Sequence, residues 1–281
     1  MGQAIVQLQL ALLLLQGSAP VLPGPEPLFR QAVAVREKQF GAQHPKTAEG
    51  MVNLALFLRK EGRDAEAAPI LQRVLIILQH NPESNRTTMA RVSFELADLS
   101  AGRGDLRRAL QLFEQAFKLK PSAAAAARMG ELLEARGDFL QAEAQYRTAL
   151  ALAEGPAEEA GVANSLGLLM ESQSRGADAE ALFARAATLF EKAYGQRHPE
   201  FATVLVNLAN AVRMRGDEPT AAGLFVKAIQ TFAATTGTQH PHAQAACRTL
   251  LSLKAQGTAQ SAVRRLCEGT NLPGSVKTPI Q

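Results

Sequence analysis

Between Ala202 and Met214 the apolar residues Val204, Leu205, Leu208, Ala211 and Val212 recur at helical spacing along one face. Gly216-Asp217 ends that segment, as glycine does just past a helix C-terminus. A second helical segment follows, from about Thr220 to Ala234, with Leu224, Phe225, Ala228, Ile229 and Phe232 on its inner face. Gly237 closes it, and Pro241 suits the first turn of whatever comes next. Two helices joined by a tight turn make an antiparallel αα-hairpin.

Small residues stand where the two helices must approach. Counted from Gly216, Ala209 lies seven before, Ala221 five after and Ala228 twelve after, while Phe225, nine after, fills the gap. The same template gives Ala55, Ala67, Val74 and Leu71 around Gly62, and Ala97, Ala109, Ala116 and Phe113 around Gly104. Around Gly137 it gives Gly130, Ala142, Ala149 and Tyr146; around Ser174 it gives Gly167, Ala179, Ala186 and Phe183. Recurrence at a fixed period makes the chain a repeat array. A linker, Gly-x-x-His-Pro, stands at Gly41 to Pro45, Gly195 to Pro199 and Gly237 to Pro241. The hairpins expected are 46–78, 87–119, one turning at Gly137, 158–194 with a longer turn through 172–176, the Ala202 to Ala234 unit, and 243–267 turning at Gly257. Strand signals are missing: no β-branched alternation and no Asn-Gly turn.

The pattern resembles the tetratricopeptide repeat over about residues 25–268. Val52-Asn53-Leu54-Ala55, Val206-Asn207-Leu208-Ala209, the His-Pro linkers and Arg36-Glu37-Lys38-Gln39-Phe40-Gly41 are similar to the kinesin-light-chain subtype. That resemblance implies an all-α fold: an α-solenoid of about seven hairpins, with the first helix of each lining a concave wall. It also implies a non-enzymatic scaffold that binds a protein or peptide segment in the groove. An assembly element that self-associates through its ends is the alternative.

By the template, positions three, four, six, nine, ten and thirteen before each turn face the wall. They select Val52, Asn53, Leu56 and Arg59, then Arg91, Phe94, Glu95 and Asp98, then Arg128 and Glu131, Asn164 and Ser165, and Thr203, Asn207, Asn210 and Arg213. The expected ligand contacts are Asn53, Arg59, Arg128, Asn164, Asn207, Asn210 and Arg213. Asparagine both donates and accepts, which suits a peptide backbone, and arginine suits a carboxylate. Kinesin light chains carry paired asparagines in consecutive repeats; Glu95 and Arg128 interrupt that series here.

Composition narrows the rest. The chain is 47% hydrophobic and 20% charged, rich in alanine and without tryptophan. Its +4 charge and pI near 9.3 are spread out, with adjacent arginines only at Arg107-Arg108 and Arg264-Arg265. Nucleic acid is not an expected partner, since phosphate binding concentrates basic charge. His44, His198 and His240 recur with the repeat and are expected to serve helix entry. No P-loop, H-E-x-x-H or G-x-S-x-G occurs, so no catalytic residue, metal or cofactor is expected. Cys247 and Cys267 are expected as free thiols, with Cys247 facing inward and Cys267 outward. The apolar run at residues 4–15 has no preceding basic residue. It is expected as a first repeat helix with a Pro-rich loop in segment 1–24, in a cytoplasmic chain; the alternative is a signal segment over residues 1–19 of an exported one. Self-association through this helix is a further expectation. Residues 269–281 are expected to be a disordered tail.

Overall fold

A computed structural model of the chain describes residues 24–253 and Cys267. The described residues form twelve α-helices and no strand. They are α1 (Pro25–Phe40), α2 (Pro45–Lys60), α3 (Asp64–Leu78), α4 (Pro82–Gly102), α5 (Leu106–Leu119) and α6 (Ala123–Ala135), then α7 (Phe139–Leu152), α8 (Pro156–Ser172), α9 (Gly176–Tyr194), α10 (Pro199–Met214), α11 (Glu218–Thr235) and α12 (Pro241–Ser252). Five complete hairpins result: α2/α3, α4/α5, α6/α7, α8/α9 and α10/α11. Helix α4 starts at Pro82 rather than Thr87, because proline fits the first turn of a helix. The helical hairpins place the fold in the α-solenoid class. The expected apolar segment at 4–15, the turn at Gly257 and the tail at 269–281 lie outside the described residues.

The turn within each hairpin is three residues long, including the one expected to be longer, which is Gln173-Ser174-Arg175. At the middle of each, the backbone enters the left-handed region. Glycine does this at four turns, and at the fifth Ser174 takes φ +61° with a side chain in place. The sequence reading overestimated that turn because a serine there hides the usual glycine signal.

The chain divides into two compact units, residues 1–120 and 121–281. In the first, α2, α3 and α4 bury Leu54, Leu58, Leu71, Val74, Ile77, Leu78 and Val92. The template residues lie at the centre of every hairpin: Leu71, Phe113, Tyr146, Phe183 and Phe225 are at most 1% exposed, as are the alanines five after each turn. The position seven before the turn is where the large residue presses. A Cβ on Gly130 would stand 2.9 Å from the Tyr146 ring, and one on Gly167 only 2.6 Å from the Phe183 ring.

Between hairpins the Gly-x-x-His-Pro linkers serve helix entry as expected. Gly41, Gly195 and Gly237 all have positive φ. The His44 and His198 imidazoles cap α2 and α10 by accepting from the backbone N–H of Lys46 and Glu200. Each linker histidine also stacks on an aromatic ring of the helix before it: Phe40–His44, Tyr194–His198 and Phe232–His240, at centroid distances of 5.2, 4.2 and 4.7 Å.

Cys247 and Cys267 are not free thiols: they form a disulfide, with Cα atoms 5.5 Å apart, and both are wholly buried. The expectation of an outward Cys267 failed because the tenth residue after the turn is not always outward; Val226, its counterpart in α11, is buried as well. Disulfides persist in oxidising compartments. No helix among the described residues is long and apolar enough to cross a membrane.

Gly167→Ala is expected to destabilise the second unit by about 1–3 kcal/mol through overpacking against Phe183. Gly161→Ala on the same helix, where an added Cβ meets nothing within 4 Å, is expected to stabilise by about 0.5–1 kcal/mol. Denaturant unfolding of the two variants checks both signs. For the disulfide, Cys247→Ser is expected to lower the thermal midpoint under non-reducing conditions, with closure of a loop of this size contributing about 3 kcal/mol. Equal midpoints for the variant and the oxidised parent would show that the bond does not form.

Candidate functional site

The first helices of successive hairpins lie side by side: α2 and α4 in the first unit, and α6, α8, α10 and α12 in the second. Residues three apart share a helix face, so positions nine, six and three before each turn form one open stripe. In the first unit it holds Asn53, Leu56 and Arg59 on α2, and Glu95 and Asp98 on α4. In the second it holds Arg128, Glu131 and Glu134 on α6, Ser165, Leu168 and Glu171 on α8, and Asn207, Asn210 and Arg213 on α10. All of these are half-buried or exposed. Position ten is mixed: Val52, expected on the wall, is 3% exposed, as is Val206, while Phe94, Ala127 and Asn164 are half-buried. Phe94, also expected there, lies edge-on against Phe113 at 5.0 Å.

The expected ligand residues separate into two groups. Arg59 is ion-paired with Glu95 and Asp98 of the neighbouring helix and lies 3.9 Å from Asp64. Its guanidinium is occupied by the fold. The two acids read from sequence as breaks in an asparagine series are its counter-ions. Arg128 pairs with Glu131 on its own helix at 2.5 Å. Beside them Glu134 accepts from the Tyr146 hydroxyl at 3.1 Å, and burial together with that carboxylate raises the phenol pKa. Asn207 and Asn164 meet across two first helices, Nδ2 donating to Oδ1 at 2.8 Å. Thr203 spends its hydroxyl on the Pro199 carbonyl. Asn53, Asn210 and Arg213 make no side-chain hydrogen bond or ion pair among the described residues. Sequence reading missed a cleft of about 580 Å³ at the turn end of α8, α9 and α10, lined by Glu171, Ala177, Ala181, Ala211, Met214 and Arg215. Met214, beside Arg213, is 68% exposed at this cleft.

Residues 48–122 and 158–234, more than half of the chain, match the family described as Tetratricopeptide repeat. The chain belongs to the tetratricopeptide repeat family. Among solved structures it is similar to BtubC (BKLC) from P. vanneervenii, at 21% identity over 75% of this chain and 91% of that one, with a TM-score of 0.66. It is also similar to a putative kinesin light chain from Podosopora anserina with nearly identical TPR-like repeats, at 19% identity over 68% of this chain and 97% of that one, with a TM-score of 0.55. Both likenesses concern the fold, and the second is to repeats of kinesin-light-chain type. Cellulose synthase operon protein C of Xanthomonas axonopodis pv. citri (strain 306) is 34% identical over 171 residues, 60% of this chain. The chain spans only 10% of that relative's length. Tetratricopeptide repeats are in general scaffolds for protein–protein interaction.

Other charged residues of the tetratricopeptide array hold hairpins together rather than facing the stripe. At four of the five turns an arginine reaches back to the helix before its hairpin. Arg63 bonds Glu26 of α1 at 2.5 Å and Glu66 at 2.7 Å. Arg103 reaches the Asp64 carbonyl. Arg175 bonds the buried Glu143 of α7 at 2.9 Å, and Arg215 lies 3.3 Å from Glu180 of α9. Hydrogen bonds from Arg63, and next from Arg30, hold the Glu26 carboxyl below its ordinary value of 4.5; Arg63 does the same to Glu66.

A carboxyl with a depressed pKa in the folded state stabilises it fully above the unfolded value. That contribution is lost as pH falls through the lower folded value. The contacts of α1 with α3 are therefore expected to weaken on acidification below pH 4.5. Arg63→Met is expected to flatten the dependence of the unfolding midpoint on pH in that range, while lowering the midpoint at neutral pH. A parallel downward shift at all pH values would show that Glu26 and Glu66 are not held by this arginine.

Proposed function

We propose that the open stripe of first helices binds an extended peptide or protein segment. The observation that carries this reading is that Asn210 and Arg213 on the open stripe of the second unit, and Asn53 on that of the first, make no side-chain hydrogen bond or ion pair among the described residues. Asn207 joins them, since its bond to Asn164 leaves a carbonyl and a second donor hydrogen for a ligand backbone. Arg213 offers a bidentate partner for a carboxylate. The largely apolar cleft at Met214 offers a place for an apolar side chain, in the manner of a ligand anchor. Arg59 and Arg128 act in this reading as fixed charges that shape the wall, because their guanidinium groups are already engaged.

A phage-displayed random peptide library selected against the full chain provides the probe. Peptides enriched on the parent are expected to bind Asn207→Ala/Arg213→Ala at least about tenfold more weakly, a loss of about 1.4 kcal/mol or more. The thermal midpoint is expected to stay nearly unchanged, since both side chains are partly or largely exposed. A collapse of the midpoint with unchanged binding per folded molecule would make these structural residues and remove the groove assignment. The alternative reading, assembly through an end of the array, is favoured by the exposed Leu28 and Val35 of α1.

A further inference from the structure

Helix α1 differs from every other second helix in burying none of its residues. Counted back from the glycine of its Gly-x-x-His-Pro linker, Phe29 and Ala32 correspond to Phe183 and Ala186 of α9 and to Phe225 and Ala228 of α11. Those four are wholly buried beneath the first helix of their own hairpin. In α1 the same face is only partly covered: Phe29 is half-buried against Phe57, but Ala32 is exposed, and Leu28 and Val35 are each 55% exposed. Leu28, Ala32 and Val35 stand at i, i+4 and i+7, a single apolar stripe. A shallow recess of about 390 Å³ runs along it.

The residues that would cover this face are written in the sequence. With Ala11 placed at the small position seven before a turn, Val6, Leu10, Leu13 and Leu14 fall on the positions of Val162, Leu166, Leu169 and Met170 in α8. Those four are at most 5% exposed. In the same register Ser18 takes the turn position that Ser174 occupies. Ser18 to Ala32 is only two residues longer than Ser174 to Ala186, a short insertion absorbed by the Pro-rich stretch between Pro20 and Pro25. A twelve-residue helix is about 18 Å long, enough to span Leu28 to Val35. We propose that residues 4–15 pack in cis as the missing first helix of the first hairpin, on the Leu28, Ala32 and Val35 stripe, and close that end of the array. The register then puts Gln9 at the wall position that Asn53 and Glu95 hold.

Hydrogen exchange on the full chain tests this, with intact mass and sedimentation measured on the same sample. Expected are a retained N-terminus, a monomer, and protected amides across residues 25–40. Leu10→Asp/Leu14→Asp is expected to speed exchange in α1 by about tenfold or more while α3 to α5 stay protected. Gln9→Glu, on the open side of the same helix, is expected to change nothing. Three outcomes overturn the proposal. One is a chain that has lost its first twenty or so residues, which would mark export, suit the disulfide and leave α1 uncovered. The second is α1 exchange that is the same in the double variant as in the parent. The third is protection that rises with protein concentration, which would give the stripe to a second copy.

Discussion

Every hairpin depends on one steric constraint, the crossing of its two helices at a small residue beneath a large one. Where the small residue is alanine, as at Ala55, Ala97 and Ala209, the partners are Leu71, Phe113 and Phe225. Where it is glycine, the ring of Tyr146 or Phe183 comes closer than any Cβ would allow. Close approach then sets what the flanking positions must be. The alanines five after every turn, and the alanine or valine twelve after it, lie at the same interface, where a long or aromatic side chain would separate the helices. Stability therefore resides in shape matching along the hairpin axis, with little help from polar groups.

This is why the fold was legible in the sequence. A crossing that tolerates only small residues leaves the same letters at fixed distances from each turn, and five turns carry them. The His-Pro linkers were legible for a similar reason, since a capping imidazole and a proline at the helix start are both tied to position. The failures share a different cause. Val52 and Cys267 were assigned a side by register alone, yet Val52 packs into the core and Cys267 is bonded to Cys247. Spacing along one helix does not state what packs against its flank.

The wall was only half legible. Asparagines and arginines could be placed on the open face from spacing, and Asn53, Asn207, Asn210 and Arg213 are there. What spacing did not show is which charges are already engaged. Glu95 and Asp98 looked like interruptions of a polar series and prove to hold Arg59. Long-range ion pairs leave no periodic trace, because either partner can move one turn along its helix and still reach the other. The cleft beside Met214 was invisible for a related reason: it is a space between three helices, made by alanines whose only signal is their small size.

The turn arginines carry a consequence for how such a chain can change in length. Arg63, Arg175 and Arg215 each reach from one hairpin to an acid on the second helix of the one before. The tie is made by residues of two adjoining hairpins only, and its chemistry is the same at these three junctions, whereas Arg103 reaches a backbone carbonyl instead. Duplicating α8/α9 would thus set Arg175 of the copy against Glu180 of the original, an acid already placed to meet a turn arginine, as it meets Arg215 now. Such a hairpin can be repeated without inventing a new tie, and the differences among hairpins are free to accumulate on the open face.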